Sequence, residues 1–195
     1  MASLCAERGY AETTREQVIE RSGISPEFFD ELFAKKENCG AAAIDAILAE
    51  VMTTFAAGYS ADLPGRDGAL LGIRAILELL AARPAFASLT FICARQMAPP
   101  RLKEGLETGA RMLAAMLERL GEDAGGSPLS PRAARAALGG VEAVVRREIM
   151  AGRAAELPRL LPDFVYAATV PTLGQEEALQ LAARGRALLE GTAWG

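Results

Sequence analysis

The stretch that decides the fold runs from residue 14 to residue 33 and reads TREQVIERSGISPEFFDELF. Thr14, followed three residues later by a glutamine, is a capping-box pattern that starts a helix. Gly23 ends that helix. Ser25 and Pro26 start another, because a serine oxygen caps a first turn and proline is tolerated there. The two helices form a candidate helix-turn-helix, a motif whose second helix enters the major groove of DNA.

Glycine, proline and serine signals divide the rest of the sequence into further helices. The predicted helices cover residues 2–8, 15–21, 26–32, 36–59, 67–82, 85–97, 100–120, 131–151, 157–173 and 175–190, with a flexible loop over 121–130. This pattern leaves no room for a sheet, and we expect an all-α protein.

Composition supports that expectation. The chain has 195 residues, of which 51% are apolar and 24% charged. That apolar fraction is enough for a compact core. Alanine, leucine, glutamate and arginine are abundant while valine, isoleucine, tyrosine and tryptophan are scarce, which favours helices over strands.

The side chains that are missing exclude several chemistries. The sequence has no histidine, which excludes Ser-His-Asp and Cys-His catalysis. Cys5, Cys39 and Cys93 are odd in number and never form a CxxC pair, so neither a disulfide framework nor a thiolate metal site is indicated. Residues 41–61 are apolar but contain two carboxylates, so we expect no membrane span. We predict a cytoplasmic protein that is not an enzyme and needs no cofactor or metal.

The residues around the helix-turn-helix extend the pattern. They are Glu7-Arg8-Gly9-Tyr10, Thr13-Thr14, Val18, Arg21-Ser22-Gly23-Ile24-Ser25, Phe29, Phe33 and Lys36-Glu37. In this order and spacing, residues 3–39 resemble the signature that opens TetR/AcrR transcriptional regulators. Residues 156–174 are similar to the C-terminal end of some members.

The resemblance implies a two-domain homodimer. Residues 1–45 would form a helix-turn-helix DNA-binding domain, and residues 46–195 a helical domain for effector binding and dimerisation. Such proteins are most often repressors that bind a palindromic operator. Binding of a small-molecule effector releases the repressor from the DNA. Effector and operator would then weaken each other's binding by the same factor.

The resemblance also implies three sets of site residues. For operator DNA they are Thr14, Arg15, Ser25, Glu27, Phe28, Asp30, Glu31, Lys35 and Lys36. The alternatives are helix caps for Thr14 and Ser25 and solvated surface charges for Arg15, Lys35 and Lys36. For the effector they are Met52, Phe55, Tyr59, Phe86, Phe91, Arg95, Met112 and Met116. The alternative is surface exposure at a helix end for Arg95 and ordinary core positions for the others. For the dimer interface they are Ala137, Gly140, Val141, Val144, Val145, Phe164 and Ala168, with packing inside the monomer as the alternative.

The charge of the presumed DNA-binding domain departs from the family pattern. Residues 1–50 carry five basic and ten acidic side chains, and residues 25–33 carry no basic one. Asp30 stands where the family usually has a phosphate-contacting tyrosine. Met1 falls inside the first helix of the pattern, so the basic arm that often precedes it lies upstream or is missing. Because phosphate neutralisation supplies most non-specific affinity, we expect weak operator binding. The alternative is the same fold acting as a small-molecule-binding or protein-binding dimer.

Overall fold

A computed structural model of the chain describes residues 1–59, 65–97, 107, 111 and 130–191, and all regular structure in these ranges is helical. The α-helices are α1 (Ala2–Glu12), α2 (Arg15–Ser22), α3 (Pro26–Phe33), α4 (Lys36–Gly58), α5 (Gly65–Ala82), α6 (Pro84–Phe91), α7 (Pro131–Met150), α8 (Leu161–Leu173) and α9 (Gln175–Glu190). Two 3₁₀ helices accompany them, η1 (Cys93–Gln96) and η2 (Ala154–Leu160). The all-α prediction is confirmed for the described residues.

Two predicted helices are interrupted. The helix expected over 85–97 consists of α6 and η1, which meet at Ile92 without a glycine or proline between them. The helix expected over 157–173 starts as η2, and α8 begins only at Leu161 because Pro158 and Pro162 lack the N–H groups that a continuous helix needs. The helix predicted over 100–120 and most of the loop predicted over 121–130 lie outside the described residues.

Three residues among the N-terminal helices have a positive φ, namely Gly9, Gly23 and Ala34. Gly9 (φ 82°, ψ 163°) divides α1 into two pieces. This conformation is readily reached only by glycine. Ala34 (φ 56°) links α3 to α4 and is the one non-glycine residue with positive φ in the described chain.

The first helices enclose a small core. Leu4 of α1, Val18 of α2, Phe29 of α3 and Cys39 of α4 are buried against one another. A second cluster joins α1 and α4 to α6 and η1. Its buried members are Cys5, Tyr10, Ile44, Ile47, Leu89, Cys93, Ala94 and Met97. The domain boundary expected at residue 45 therefore lies inside a continuous helix, α4, which belongs to both cores.

The C-terminal helices build the largest core. Leu77 of α5, Val145 of α7, Leu157 of η2, Phe164 of α8 and Leu181 of α9 are among its buried members. Apolar side chains of α8 face several neighbouring helices at once, so little of that helix remains exposed.

The crossing of α4 and α5 is unusually close. A Cβ atom added to Gly72 would lie 2.6 Å from the ring of Phe55, and one added to Gly58 would lie 2.8 Å from the Cβ of Ala75. Real Cβ atoms do not approach other atoms this closely, so glycine is required at both positions for this packing.

One described helix, α4, is long and apolar enough to cross a membrane, a property that core helices of water-soluble proteins share. In this structure Ile44, Ile47 and Phe55 of α4 are buried against other helices. The α5 helix passes the same test only together with α6 and η1, as a pair bent by 101°.

Candidate nucleic-acid interface

The helix-turn-helix is built by local capping. The Thr14 hydroxyl accepts the Gln17 N–H while the Gln17 side chain accepts the Thr14 N–H, which completes the predicted capping box. Gly23 ends α2 in the left-handed conformation (φ 72°, ψ 13°), and the Ser25 hydroxyl accepts the Phe28 N–H to start α3. The turn chemistry predicted from the sequence is thus present, and the oxygens of Thr14 and Ser25 are engaged as caps.

Arg15 links the two helices. Its Nη2 lies 2.6 Å from Oδ1 of Asp30 and 3.3 Å from the carbonyl oxygen of Pro26, and its guanidinium lies 5.3 Å from the centre of the Phe29 ring. The hydrogen bond to Asp30 raises the pKa of Arg15 above its ordinary value. Both candidate DNA contacts, Arg15 and Asp30, are therefore partners of each other.

Lys36 is half-buried and its ammonium is bound within the domain. Its ammonium donates to the carbonyl oxygens of Tyr10 (3.1 Å) and Thr13 (2.8 Å) and lies 4.2 Å from the centre of the Tyr10 ring. These contacts fasten the end of α1 to the start of α4. The cation that the sequence offers to a phosphate is occupied by the protein itself.

Arg21 is also paired. Its guanidinium makes two hydrogen bonds to the carboxylate of Glu7, at 2.9 and 3.0 Å, which lower the pKa of Glu7. Of the five cations in residues 1–50, this leaves Arg8 and Lys35 with exposed side chains that make no hydrogen bond or ion pair to the described residues. Lys35 precedes the first turn of α4, where unpaired backbone N–H groups add to its attraction for anions.

The outer face of α3 is acidic and apolar. Phe28 and Leu32, four residues apart, are 47% and 53% exposed, which places both on one side of the helix. Glu27 and Glu31 are exposed on the same helix. Hydrogen bonds from its own backbone N–H and from Ser25 lower the pKa of Glu27, so this side chain is charged at neutral pH. The sequence analysis named Phe28, Glu27 and Glu31 but missed Leu32, although its spacing from Phe28 is visible in the sequence.

The residues predicted to line an effector pocket lie in different parts of the core. Phe55 packs with Ala69 and Ala168, Phe86 packs near the α1–η1 cluster, and Phe91 packs against the C-terminal core. Met52 is half-buried, and Tyr59 is exposed beside Phe55. The described residues do not bring these side chains into one group, while Met112 and Met116 lie outside the described residues.

Arg95 does not lie in an apolar environment. It is exposed on η1 and forms an ion pair with Glu142 of α7. Glu142 thus already supplies a carboxylate partner to the Arg95 guanidinium. The ion pair instead connects η1, next to the α1 cluster, to α7.

Three residues predicted for the dimer interface are buried inside the protomer. Val145 and Phe164 belong to the C-terminal core, and Ala168 packs with Phe55. The structure therefore buries these three side chains within the protomer, and their part in a dimer interface stays a prediction. Gly140 and Val144 are exposed, and Ala137 and Val141 are half-buried.

Exposed residues on α7 and on α9 remain for a second copy, and we call them together the α7–α9 stripe. They are Ala136, Gly140, Val144, Leu179, Ala183 and Arg186. A Cβ added to Gly140 would meet no atom within 4 Å, so the backbone there is open to close approach. The interface predicted from the sequence did not include α9, where exposed Leu179 and buried Leu181 look alike in the sequence.

No group of three or more cysteine and carboxylate side chains in the described ranges is arranged to hold a metal ion.

Comparison with protein-family profiles gives no match, and comparison with curated proteins gives none. Solved structures are similar. The fatty acid degradation regulator FadR from Bacillus halodurans superposes with a TM-score of 0.73 at 17% identity, covering 84% of this chain and 90% of its own. A bacterial regulatory protein of the tetR family from Rhodococcus RHA1 superposes with a TM-score of 0.58 at 16% identity, covering 98% of this chain and 92% of its own. The chain therefore has a TetR-like fold.

Proposed function

We propose that this chain, with its TetR-like fold, is a cytoplasmic transcriptional regulator whose α3 meets operator DNA and whose larger helical part binds a small-molecule effector. The observation that carries the proposal is the capped α2–turn–α3 unit, which leaves one face of α3 exposed. The regulators with which the chain superposes support the same reading. We favour a repressor that leaves its operator when the effector binds.

Operator contact on this surface uses few cations. Arg8 and Lys35 give a dimer four phosphate partners, since Arg15, Arg21 and Lys36 are engaged within the protomer. Each neutralised phosphate contributes roughly 0.9 to the slope of log affinity against log salt, so we expect a slope of roughly −4 or shallower. Glu27 and Glu31 repel phosphates but accept hydrogen bonds from cytosine amino groups, which gives sequence reading at low affinity.

Dimerisation places two copies of α3 on one face of DNA. The α7–α9 stripe is our proposed interface, since its small residues permit close helix packing and its apolar side chains are not covered within the protomer. Sedimentation at micromolar concentration that shows only a 20.6 kDa species would contradict it.

The effector signal has a short route to α3. Cys5 and Tyr10 of α1 pack directly against Leu89 of α6 and Cys93 of η1, so a ligand that shifts α6 also shifts α1. A hydrophobic or amphipathic effector among residues 50–120 fits the apolar character of these helices. Since one structural neighbour regulates fatty acid degradation, fatty acids of graded length are suitable first probes in a thermal-shift screen.

The decisive experiment is DNA binding by the full chain. Fluorescence anisotropy with duplexes from its own promoter region, over a range of salt concentrations, should show weak sequence-preferring binding. Replacing exposed Glu31 by Lys should tighten non-specific binding and steepen the salt slope by roughly 2 for a dimer. Asp163→Lys, an equal charge change at an exposed residue of the largely buried α8, is the matched control and should change neither. Equal effects of both variants on DNA binding would indicate that DNA binds at a surface other than α3.

A second function fits the same face of α3. Exposed Phe28 and Leu32 beside Glu27 and Glu31 suit a basic, amphipathic protein segment better than a phosphate backbone. This is the same fold acting as a protein-binding dimer without an operator. If no promoter duplex binds the unmodified chain even at low salt, while Glu31→Lys creates DNA binding, protein binding replaces operator binding as the proposed function.

A further inference from the structure

Two cysteines far apart in sequence meet where α1 rests on η1. The Sγ of Cys93 lies 3.6 Å from the carbonyl oxygen of Cys5, to which the thiol donates a hydrogen bond. Each residue is 2% exposed, and both belong to the cluster that joins α1 to α6 and η1. The contact therefore connects the N-terminal helices to the rest of the chain.

The surroundings of the pair make the two thiols unequal. The contact with Cys93 lowers the pKa of Cys5, and Thr13, the chain's N-terminal amine and the Lys36 ammonium act in the same direction against the effect of burial. The same thiol contact, together with burial, raises the pKa of Cys93. Cys5 is thus the better nucleophile of the pair, and Cys93 keeps its proton.

The third cysteine lies in a different core. Cys39 packs with Leu4, Val18 and Phe29, and burial raises its pKa. It has no thiol hydrogen bond in the described chain. Cys39 is a built-in comparison for the other two.

We propose that Cys5 and Cys93 form an oxidation site at which hydrogen peroxide converts the two thiols into a disulfide joining α1 to η1. This oxidation is a property beyond the proposed function, since disulfide formation can be measured without DNA or effector.

The reaction has two steps. The Cys5 thiolate attacks one peroxide oxygen, the O–O bond breaks, and the departing oxygen takes up protons and leaves as water, with Cys5 now a sulfenic acid. The sulfur of Cys93 then attacks the Cys5 sulfur, the S–O bond breaks, and the hydroxide leaves as a second water with the Cys93 proton. Two thiols lose two electrons, and one peroxide molecule is reduced to two waters.

The oxidant reaches the pair through the first turn of α1. Met1, whose Sδ lies 3.5 Å from the Cys5 Sγ, precedes a helix start that has no side-chain cap. The break at Gly9 separates this short piece from the rest of the helix. A short, uncapped helical piece opens locally at low cost, and peroxide is small enough to enter such an opening.

The consequence of oxidation is mechanical. A disulfide at this position closes a loop between residues 5 and 93 and holds α1 on η1 in the arrangement seen here, where the proposed effector signal passes. We expect Tm to rise by about 5 to 10 °C, and the effector response of DNA binding to be lost.

The test compares cysteine variants of the full chain after a small molar excess of hydrogen peroxide, followed by alkylation in denaturant and intact mass spectrometry. Wild type and Cys39→Ala should each lose two hydrogens and two alkylatable thiols, with the Cys5–Cys93 link found by peptide mapping and reversed by dithiothreitol. Cys5→Ser and Cys93→Ser should form no intramolecular link.

Cys39→Ala carries the test even if the other variants do not fold, because it contains only the two proposed thiols. If it keeps both thiols after peroxide, becomes a sulfinate, or links only between chains, the proposal is overturned. A wild-type link that includes Cys39 would overturn it as well. None of these outcomes depends on whether the chain binds DNA.

Discussion

The helix-turn-helix region and the crossing of α4 with α5 are held together by opposite means. In residues 1–45, caps and ion pairs hold the helices, including the Lys36 ammonium on two carbonyl oxygens. At the α4–α5 crossing, bare glycine backbone touches Phe55 and Ala75. A charged side chain that is bound within the protomer is not available to a phosphate. The contacts that stabilise the first region therefore reduce its capacity to bind phosphate. The second region uses no functional group.

Substitution at the crossing should have the largest effect. Gly72→Ala places a Cβ 2.6 Å from the buried Phe55 ring, and we expect the free energy of unfolding to fall by about 3 kcal/mol. Urea unfolding followed by circular dichroism measures this. Gly185→Ala is the control, since its Cβ would meet Leu161 at an ordinary 3.6 Å and alanine favours helix. Equal losses for both would show that the crossing is not close.

Two adjacent lysines of the first region have different predicted roles. Lys36 stabilises the fold, and Lys35 is available to bind DNA. Lys36→Met removes a charged donor from the carbonyl oxygens of Tyr10 and Thr13, and we expect a loss of about 2 kcal/mol in the free energy of unfolding. Lys35→Met should leave stability unchanged and weaken DNA binding, because its ammonium is exposed and unpaired in the described chain. Thermal unfolding and anisotropy separate these effects. A destabilised Lys35→Met would contradict the division.

Loss of a cap should have a smaller effect. Thr14→Ala removes the oxygen that accepts the Gln17 N–H, and we expect the free energy of unfolding to fall by about 1 kcal/mol. Thr14→Ser keeps the oxygen and should restore most of it. If serine and alanine behave alike in urea unfolding, the capping box does not hold α2.

The exposed ion pair should contribute least to stability. Arg15 and Asp30 lie at the surface, where solvent screens their attraction. In a double-mutant cycle of Arg15→Met and Asp30→Asn, we expect a coupling free energy smaller than the loss of unfolding free energy predicted for Lys36→Met or for Thr14→Ala. Asp30→Asn should instead strengthen DNA binding by freeing Arg15. Unchanged DNA binding would show that the cation stays on Phe29 and Pro26.

Local chemistry was predictable from the sequence, and long-range partners were not. The starts of α2, α3 and α7 follow from Thr14, Ser25 and Ser130, because a cap acts within three residues. Lys36 meets a carbonyl 26 residues away, which no spacing rule indicates. Its capture by Tyr10 and Thr13 therefore changes the predicted site.

The same limit applies to the predicted interface residues. Apolar periodicity shows that Val145, Phe164 and Ala168 face something apolar, but it does not distinguish the protomer's own core from a second copy. In the structure all three are buried within the protomer. For the effector residues, the fold distributes Phe55, Phe86 and Phe91 over three clusters that the sequence order does not reveal.

The positive φ of Ala34 determines how accurately α3 is aimed. An alanine at φ 56° occupies a narrow, costly region of backbone space, whereas glycine would move through a broad one. Ala34 therefore restricts the range of angles at which α3 can leave α4. In a dimer this restriction applies twice, so the distance between the two copies of α3 varies less than it would across a glycine joint. The methyl group of Ala34 would thereby limit the spacing of the two half-sites that the proposed dimer recognises.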